Sequence, residues 1–261
     1  MLAGYYQFRP LFGKIRHNLN KVVRTLDKVD ADLVVLPELA FTGYYFTDKE
    51  EAYDMAQDVT SSPIIDSLSE LCRRKNFHIV SGFCEKYLDD CFNSSLLIGP
   101  GGLEHVYRKI HLFNEEKNVF TPGDTPLQVN EIGDVKIGIM VCFDWLFPEV
   151  TRTLALQGAD IICHPSNLVL AWCQQTMITR CLENRVFAIT ANRYGADKRP
   201  KGELRFTGKS QVVAPGGKML HRAPSQRDEL YITEIDINEA RNKNITPLND
   251  VMTDRRTEFY M

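Results

Sequence analysis

The sequence predicts an α/β protein of two similar halves, with two largely parallel sheets face to face and helices outside them. Three observations carry that expectation. Apolar stretches of strand length alternate with stretches of helical period, which implies crossover connections and parallel strands. Ala31-Asp32-Leu33-Val34-Val35-Leu36-Pro37 returns 128 residues later as Ala159-Asp160-Ile161-Ile162-Cys163-His164-Pro165, changed in type only at the last two strand positions. Two further echoes follow in the same order: Phe77-His78-Ile79-Val80 in Phe187-Ala188-Ile189-Thr190, and Pro100-Gly101-Gly102 in Pro215-Gly216-Gly217. A repeat this long is no solenoid period and points to two βα halves related by a pseudo-twofold axis.

Leu2 to Phe8 reads as an opening strand. After the breaker Pro10-Leu11-Phe12-Gly13, apolar residues at Ile15, Leu19, Val22, Val23, Leu26 and Val29 mark an amphipathic helix. Leu33 to Leu36 is apolar throughout, as suits a strand covered on both faces, and runs straight into Pro37-Glu38. A helix follows from Pro63 to about Lys75, then strands near His78 to Cys84 and Ser94 to Ile98, and Pro100-Gly101-Gly102 turns the chain back into Leu103 to Tyr107. Val135 to Val141 reads as a strand, Pro148-Glu149 opens a helix that stops at Gly158, and Ile161 to His164 is again a buried strand. Leu230 to Ile235 is the last clear strand. No Pro-, Gly- or Ser-rich linker divides the chain, so residues 1–261 read as a single domain, with 249–261 a tail that has no evident place in its own sheet.

The balance of 31 Lys+Arg against 34 Asp+Glu leaves a net charge of −3 and no basic field for wrapping nucleic acid. The longest apolar run, Ile137 to Phe143, falls far short of the roughly 18 residues a membrane span needs, so no membrane partner is expected. Seven scattered cysteines form no CxxC pair or zinc pattern, which fits a reducing compartment. Arg9, Lys14, Arg16, Lys21 and Arg24 precede the first acid, Asp27, as in an organellar transit peptide. No serine occurs before Ser61 and the segment reads as ordered, so the expectation is cytoplasmic.

In α/β sheets ligands gather beyond the carboxyl ends of the strands, and polar residues just past a buried strand are the places to look. Glu38, Cys142 and Asn167 qualify, and Lys109 follows a hairpin strand ending near Tyr107. Cys142 is the best nucleophile: a strand delivers it into a turn ahead of the Pro148 helix, where a positive helix terminus is expected to lower the thiol pKa below about 8.5. Most free cysteines, however, are only small buried hydrophobes. A carboxylate at Glu38 is costly behind a buried strand unless it has a cation or a proton to exchange, although a structural ion pair with Lys109 would also account for it. Arg108-Lys109 could equally be a solvated pair. His111 and His164 lie nearby without the spacing of a Cys-His dyad and read as packed or hydrogen-bonded residues. Asp144 reads as a cap for free N–H groups at the turn. Trp145, Tyr44, Asn167 and Trp172 could line a pocket or simply pack. Glu183-Asn184-Arg185 reads as an ion network at a helix end.

Leu36-Pro37-Glu38-Leu39 with Thr42-Gly43-Tyr44, then Tyr107-Arg108-Lys109-Ile110-His111-Leu112-Phe113, then Cys142-Phe143-Asp144 with Phe147-Pro148-Glu149, resemble the carbon-nitrogen hydrolase (nitrilase) superfamily. The likeness continues through Phe120-Thr121-Pro122-Gly123-Asp124, Pro165-Ser166-Asn167, Glu183-Asn184-Arg185 and Asp254-Arg255-Arg256, so it spans nearly the whole chain. It implies a four-layer α-β-β-α sandwich and a catalytic triad of Glu38, Lys109 and Cys142. A second glutamate falls at Glu116, with Glu115 adjacent, and the substrate pocket would include Tyr44, Phe143, Trp145 and Asn167. It also implies a homodimer or larger assembly in which the C-terminal tail crosses to a partner.

These residue types suit a thiol hydrolase that cleaves a small amide or N-carbamoyl compound and releases ammonia, with no metal or organic cofactor required. The same triad would serve a nitrilase. A non-enzymatic binding protein on this fold is the reading from another class, and an intact Glu-Lys-Cys set argues against it. Dinucleotide and ATP sites are excluded for lack of any GxGxxG or GxxxxGK[ST] loop.

Overall fold

A computed structural model describes residues 1–260 of the chain. The first half runs β1 (Leu2–Gln7), α1 (Ile15–Leu26), β2 (Leu33–Val35), α2 (Lys49–Met55), α3 (Pro63–Lys75), β3 (His78–Tyr87), β4 (Asp90–Gly99) and β5 (Gly102–Arg108). The second runs β6 (Val129–Ile132), β7 (Val135–Ile139), α4 (Pro148–Leu156), β8 (Ile161–Ser166), α5 (Cys173–Asn184) and β9 (Phe187–Asn192). It continues through β10 (Tyr194–Arg199), β11 (Gly202–Thr207), β12 (Gln211–Val213), β13 (Met219–Arg222) and β14 (Glu229–Glu234). A short helix α6 (Asn238–Arg241) and a small hairpin, β15 (Asn244–Thr246) with β16 (Asn249–Asp250), follow.

One six-stranded sheet has the order β14-β1-β2-β3-β4-β5, and the other β13-β12-β9-β8-β7-β6. Each has a parallel centre, β1-β2-β3 or β7-β8-β9, extended by antiparallel strands on both sides. The expected repeat is therefore present: β2 corresponds to β8, β3 to β9, and the Pro100 and Pro215 turns join the two outer strands of each half. Asp32 and Asp160 show why the repeat kept its aspartate. Each accepts a hydrogen bond from the parallel strand that precedes its own, Asp32 from Leu2 N of β1 at 2.6 Å and Asp160 from Lys136 N of β7 at 2.9 Å. Each also donates its own amide back to the same residue.

Residue alternation builds the layers. On β2, Leu33 and Val35 face the second sheet, whereas Val34 faces α1 and α3, where Leu19, Val22, Leu26, Leu68 and Leu71 cover it. Leu154, Met177 and Cys181 cover the outer face of the second sheet from α4 and α5. The result is the four-layer α-β-β-α order.

Helix α3 matches its expected limits because its ends are coded locally. Ser62 Oγ accepts from the amides of Ile64 and Ile65, Pro63 takes the first helical position, and Asn76 ends the helix in the left-handed region. The ladder of β7 stops at Ile139, short of the expected Val141, because the amide of Val141 turns to Asp144 Oδ2 at 2.8 Å. Conversely, β8 runs past His164 through Pro165 to Ser166, since β9 continues to pair with it where β7 has already ended. No helix among the described residues is long and apolar enough to cross a membrane.

Candidate active site

The ends of β2, β5, β7 and β8 converge between the two sheets. Glu38, just beyond β2, is fully buried, and the backbone that carries it lies across Gly82 of β3. A Cβ there would stand 2.3 Å from the Glu38 Cα, so only glycine lets this segment seat. Lys109 follows β5, and its backbone is fixed by Asn93 O at 2.9 Å and by the Gly123 amide at 2.9 Å. The Lys109 ammonium donates to Glu38 Oε1 at 2.8 Å and to both oxygens of Glu116, at 2.8 and 2.9 Å.

Glu116 lies in a 3-10 turn, Asn114–Asn118, that aims it inward. Its carboxylate also accepts from the Tyr44 hydroxyl at 2.6 Å and the Phe113 amide at 3.1 Å. Glu115 on the same turn points outward and pairs with Lys201 at 2.7 Å, which settles which of the two glutamates meets Lys109. Cys142 opens a second 3-10 turn, Cys142–Leu146, with φ of +43°. A side chain in that left-handed region costs roughly 1–3 kcal/mol and persists only where the surroundings hold it. Here His164 Nε2 bonds to the Cys142 carbonyl at 2.9 Å.

Electrostatics in this buried cluster follow from two carboxylates sharing one cation. Burial opposes the charge on Lys109, but Glu116 and Glu38 outweigh it and hold the ammonium well above its ordinary pKa. Burial raises Glu38, Lys109 pulls it down and Glu116 pushes it up again, leaving it above the usual carboxylate range. For Cys142 the structure reverses the expectation. Burial and the charge of Glu38 push its thiol well above the ordinary value, and Lys109 with the Asn167 amide offsets only part of this. Helix α4 begins at Pro148, beyond the turn that carries Cys142, so its positive end does not supply the stabilisation that a helix starting at the cysteine would. The thiol form of Cys142 is therefore favoured over the thiolate. His164 is pushed down to about 4 by burial, so it is neutral near pH 7.

Asn167 donates Nδ2 to the Glu38 carbonyl at 2.9 Å, and its Oδ1 is buried. Among the described residues, neither Asn167 Oδ1 nor Glu38 Oε2 has a hydrogen-bond partner. Phe143, Trp145 and Asn167 line a tight cleft of about 10 Å³ at Cys142. This shares Phe113 and Val169 with a cavity of about 80 Å³ lined by Tyr44, Phe46, Glu116 and Lys201. That is well above the roughly 10–15 Å³ needed to admit a single water, and leaves room for a small substrate.

Trp172 does not join the pocket. It precedes α5 and is 65% exposed, because the chain has turned outward there. Asn93 belongs to the site although its sequence gives no sign of it: its Nδ2 donates to Glu38 Oε1 at 2.7 Å. Arg108 is no solvated partner of Lys109, since it is held by Glu85 and Asp124 and stacks on Tyr87 and Phe92. Arg180 pairs with Glu183 and Arg152 donates to the Glu183 carbonyl, the structural network expected at that helix end.

A sequence profile described as carbon-nitrogen hydrolase matches residues 2–244. A protein named nitrilase from Pyrococcus abyssi is 43% identical over 261 residues, covering 99% of this chain and 98% of the relative. An (R)-stereoselective amidase from a Pseudomonas species is 30% identical, covering 88% of this chain and 82% of the relative. The crystal structure of a carbon-nitrogen hydrolase from Helicobacter pylori G27 superposes with a TM-score of 0.90 at 26% identity, covering 100% of this chain and 97% of that one.

Proposed function

Because the chain belongs to the carbon-nitrogen hydrolase family, we propose that it hydrolyses a small amide or N-carbamoyl compound through a Cys142 thioester and releases ammonia. The observation that carries the amide reading is the pair of unpartnered buried acceptors in the site that holds Cys142, Glu38 Oε2 and Asn167 Oδ1. Buried acceptors call for donors, and an amide or carbamoyl –NH₂ brings two N–H groups where a nitrile brings none.

Glu38 takes the thiol proton, and Cys142 Sγ attacks the carbonyl carbon to give a tetrahedral oxyanion. The Lys109 ammonium and the Phe143 amide stabilise that oxygen, a contribution of about 3–4 kcal/mol per donor. Glu38 passes its proton to the leaving nitrogen, ammonia departs, and Glu38 then deprotonates the water that opens the thioester. Glu116 keeps Lys109 charged and in place, and Tyr44 orients Glu116. The aromatic wall of Tyr44, Phe143 and Trp145 excludes water around the reacting carbon.

The name of the Pyrococcus abyssi relative supports a second reading, nitrile hydrolysis with the same triad. Ammonia release from short aliphatic amides, ω-amides, N-carbamoyl amines and dinitriles separates the two. The expected result is a higher kcat/KM for an amide or carbamoyl compound. A nitrile favoured tenfold, about 1.4 kcal/mol of transition-state preference, overturns it.

The assembly is proposed to be a homodimer or larger. Exposed apolar side chains support this at Leu248, Phe259 and Tyr260 of the C-terminal segment and at Leu156 and Leu182 of α4 and α5. A native mass at micromolar concentration should exceed that of one chain, and a monomeric mass counts against it. A reducing, cytoplasmic setting is proposed from the sequence, whose seven cysteines follow no disulfide or zinc pattern.

A further inference from the structure

We infer that Asp144 is a positioning residue, a cross-brace that fixes Lys109 against Cys142, with His111 as its outer arm. The carboxylate is fully buried and accepts four hydrogen bonds. Oδ2 takes the Val141 amide at 2.8 Å and the Tyr107 hydroxyl at 2.7 Å, and Oδ1 takes the His111 amide at 3.2 Å and His111 Nδ1 at 2.8 Å. Val141 directly precedes the nucleophile. Tyr107 and His111 stand two residues before and two after Lys109. One side chain therefore grips the lysine segment on both sides and the cysteine turn at its root.

A buried carboxylate is expensive, and among the described residues no lysine or arginine pairs with this one. Its charge is met by oriented donors, and what those donors have in common is the spacing of the two catalytic segments. The strained Cys142 turn needs such support: Asp144 holds it in front, while His164 holds its carbonyl behind. His111 is the adjustable member. Its ring stacks on Phe147 at 3.6 Å between centroids and faces a groove lined by Lys117, Pro122 and Phe143. Loss of the brace lets the Lys109 ammonium drift from the sulfur, and a displacement near 1 Å can cost a hundredfold in rate.

The kinetic half of the test rests on the amide-hydrolase reading; the labelling half does not. Alkylation of Cys142 by iodoacetamide, followed by peptide mass mapping across pH, reads the sulfur's surroundings directly. Glu38, Glu116, Lys109, Tyr44 and His164 are the titratable groups that face it. Asp144→Asn and His111→Phe should slow alkylation at pH 7 at least about fivefold and move its profile to higher pH. They should lower kcat at least about tenfold while KM stays within about twofold. His111→Asn keeps an N–H near the position of Nδ1 and should recover to within about threefold of the parent. Parental alkylation rates and profile in both Asp144→Asn and His111→Phe overturn the brace. So does a His111→Asn variant as impaired as His111→Phe. Should Asp144→Asn fail to fold, the two His111 variants decide alone. A protein that hydrolyses no amide yet shows this alkylation contrast would sink the functional reading and leave the brace standing.

Discussion

Cys142→Ala should abolish hydrolysis, lowering kcat by at least about 10⁴-fold, with thermal unfolding close to that of the parent. The stability expectation follows from the site: alanine keeps the backbone conformation, and only one sulfur leaves a cleft of about 10 Å³. Glu38→Gln should be nearly as inactive, because the raised thiol cannot lose its proton without a base and an amide cannot take it. Ammonia release under saturating substrate, with circular dichroism as the folding control, reads both. Turnover retained by Cys142→Ala removes the thioester, and turnover retained by Glu38→Gln assigns the base elsewhere.

Lys109→Met should produce the largest loss of stability. Glu38 and Glu116 would then face each other without a cation in a buried site, which costs about 3–5 kcal/mol. The dependence on pH gives the effect a signature. Without the lysine, which lowers it, burial and the charge of Glu116 hold the folded-state Glu38 carboxyl still further above its unfolded value, so the folded state binds that proton more tightly. The variant is then least destabilised at low pH and loses stability as pH rises past the ordinary carboxylate range near 4.3. Urea midpoints at pH 5 and pH 8 test this. An equal deficit at both values would assign the loss to packing rather than charge.

The fold was legible because it is written twice. Asp32 and Asp160 sit before matching apolar runs and make the same backbone bonds, so the sequence carries its own internal control. Glu38, Lys109 and Cys142 were legible because each follows a strand that folding alone would end without a charge or a thiol. Asn93 was not, since it lies within β4 in a polar stretch and nothing local says that its amide reaches a residue 55 positions earlier. Choosing between Glu115 and Glu116 needs the direction of a 3-10 turn, which neighbouring glutamates do not encode. The thiol's pKa was misjudged for a related reason: local sequence shows a turn ahead of a helix, whereas burial against Glu38 is a property of two distant segments meeting.

The first sheet has its outermost strand from the far end of the chain, with Leu2 opposite Glu234 and Gln7 opposite Glu229. As the polypeptide leaves the ribosome, β1 keeps an open edge until more than two hundred further residues have emerged. An unpaired edge is a template for other strands, and closing so long a loop is slow. Glu38, Lys109 and Glu116 are synthesised well before Cys142, and their seat between the sheets exists only once the second sheet docks. A nascent or truncated chain therefore exposes that edge with the site unassembled, and the edge is covered only when β14 pairs with β1.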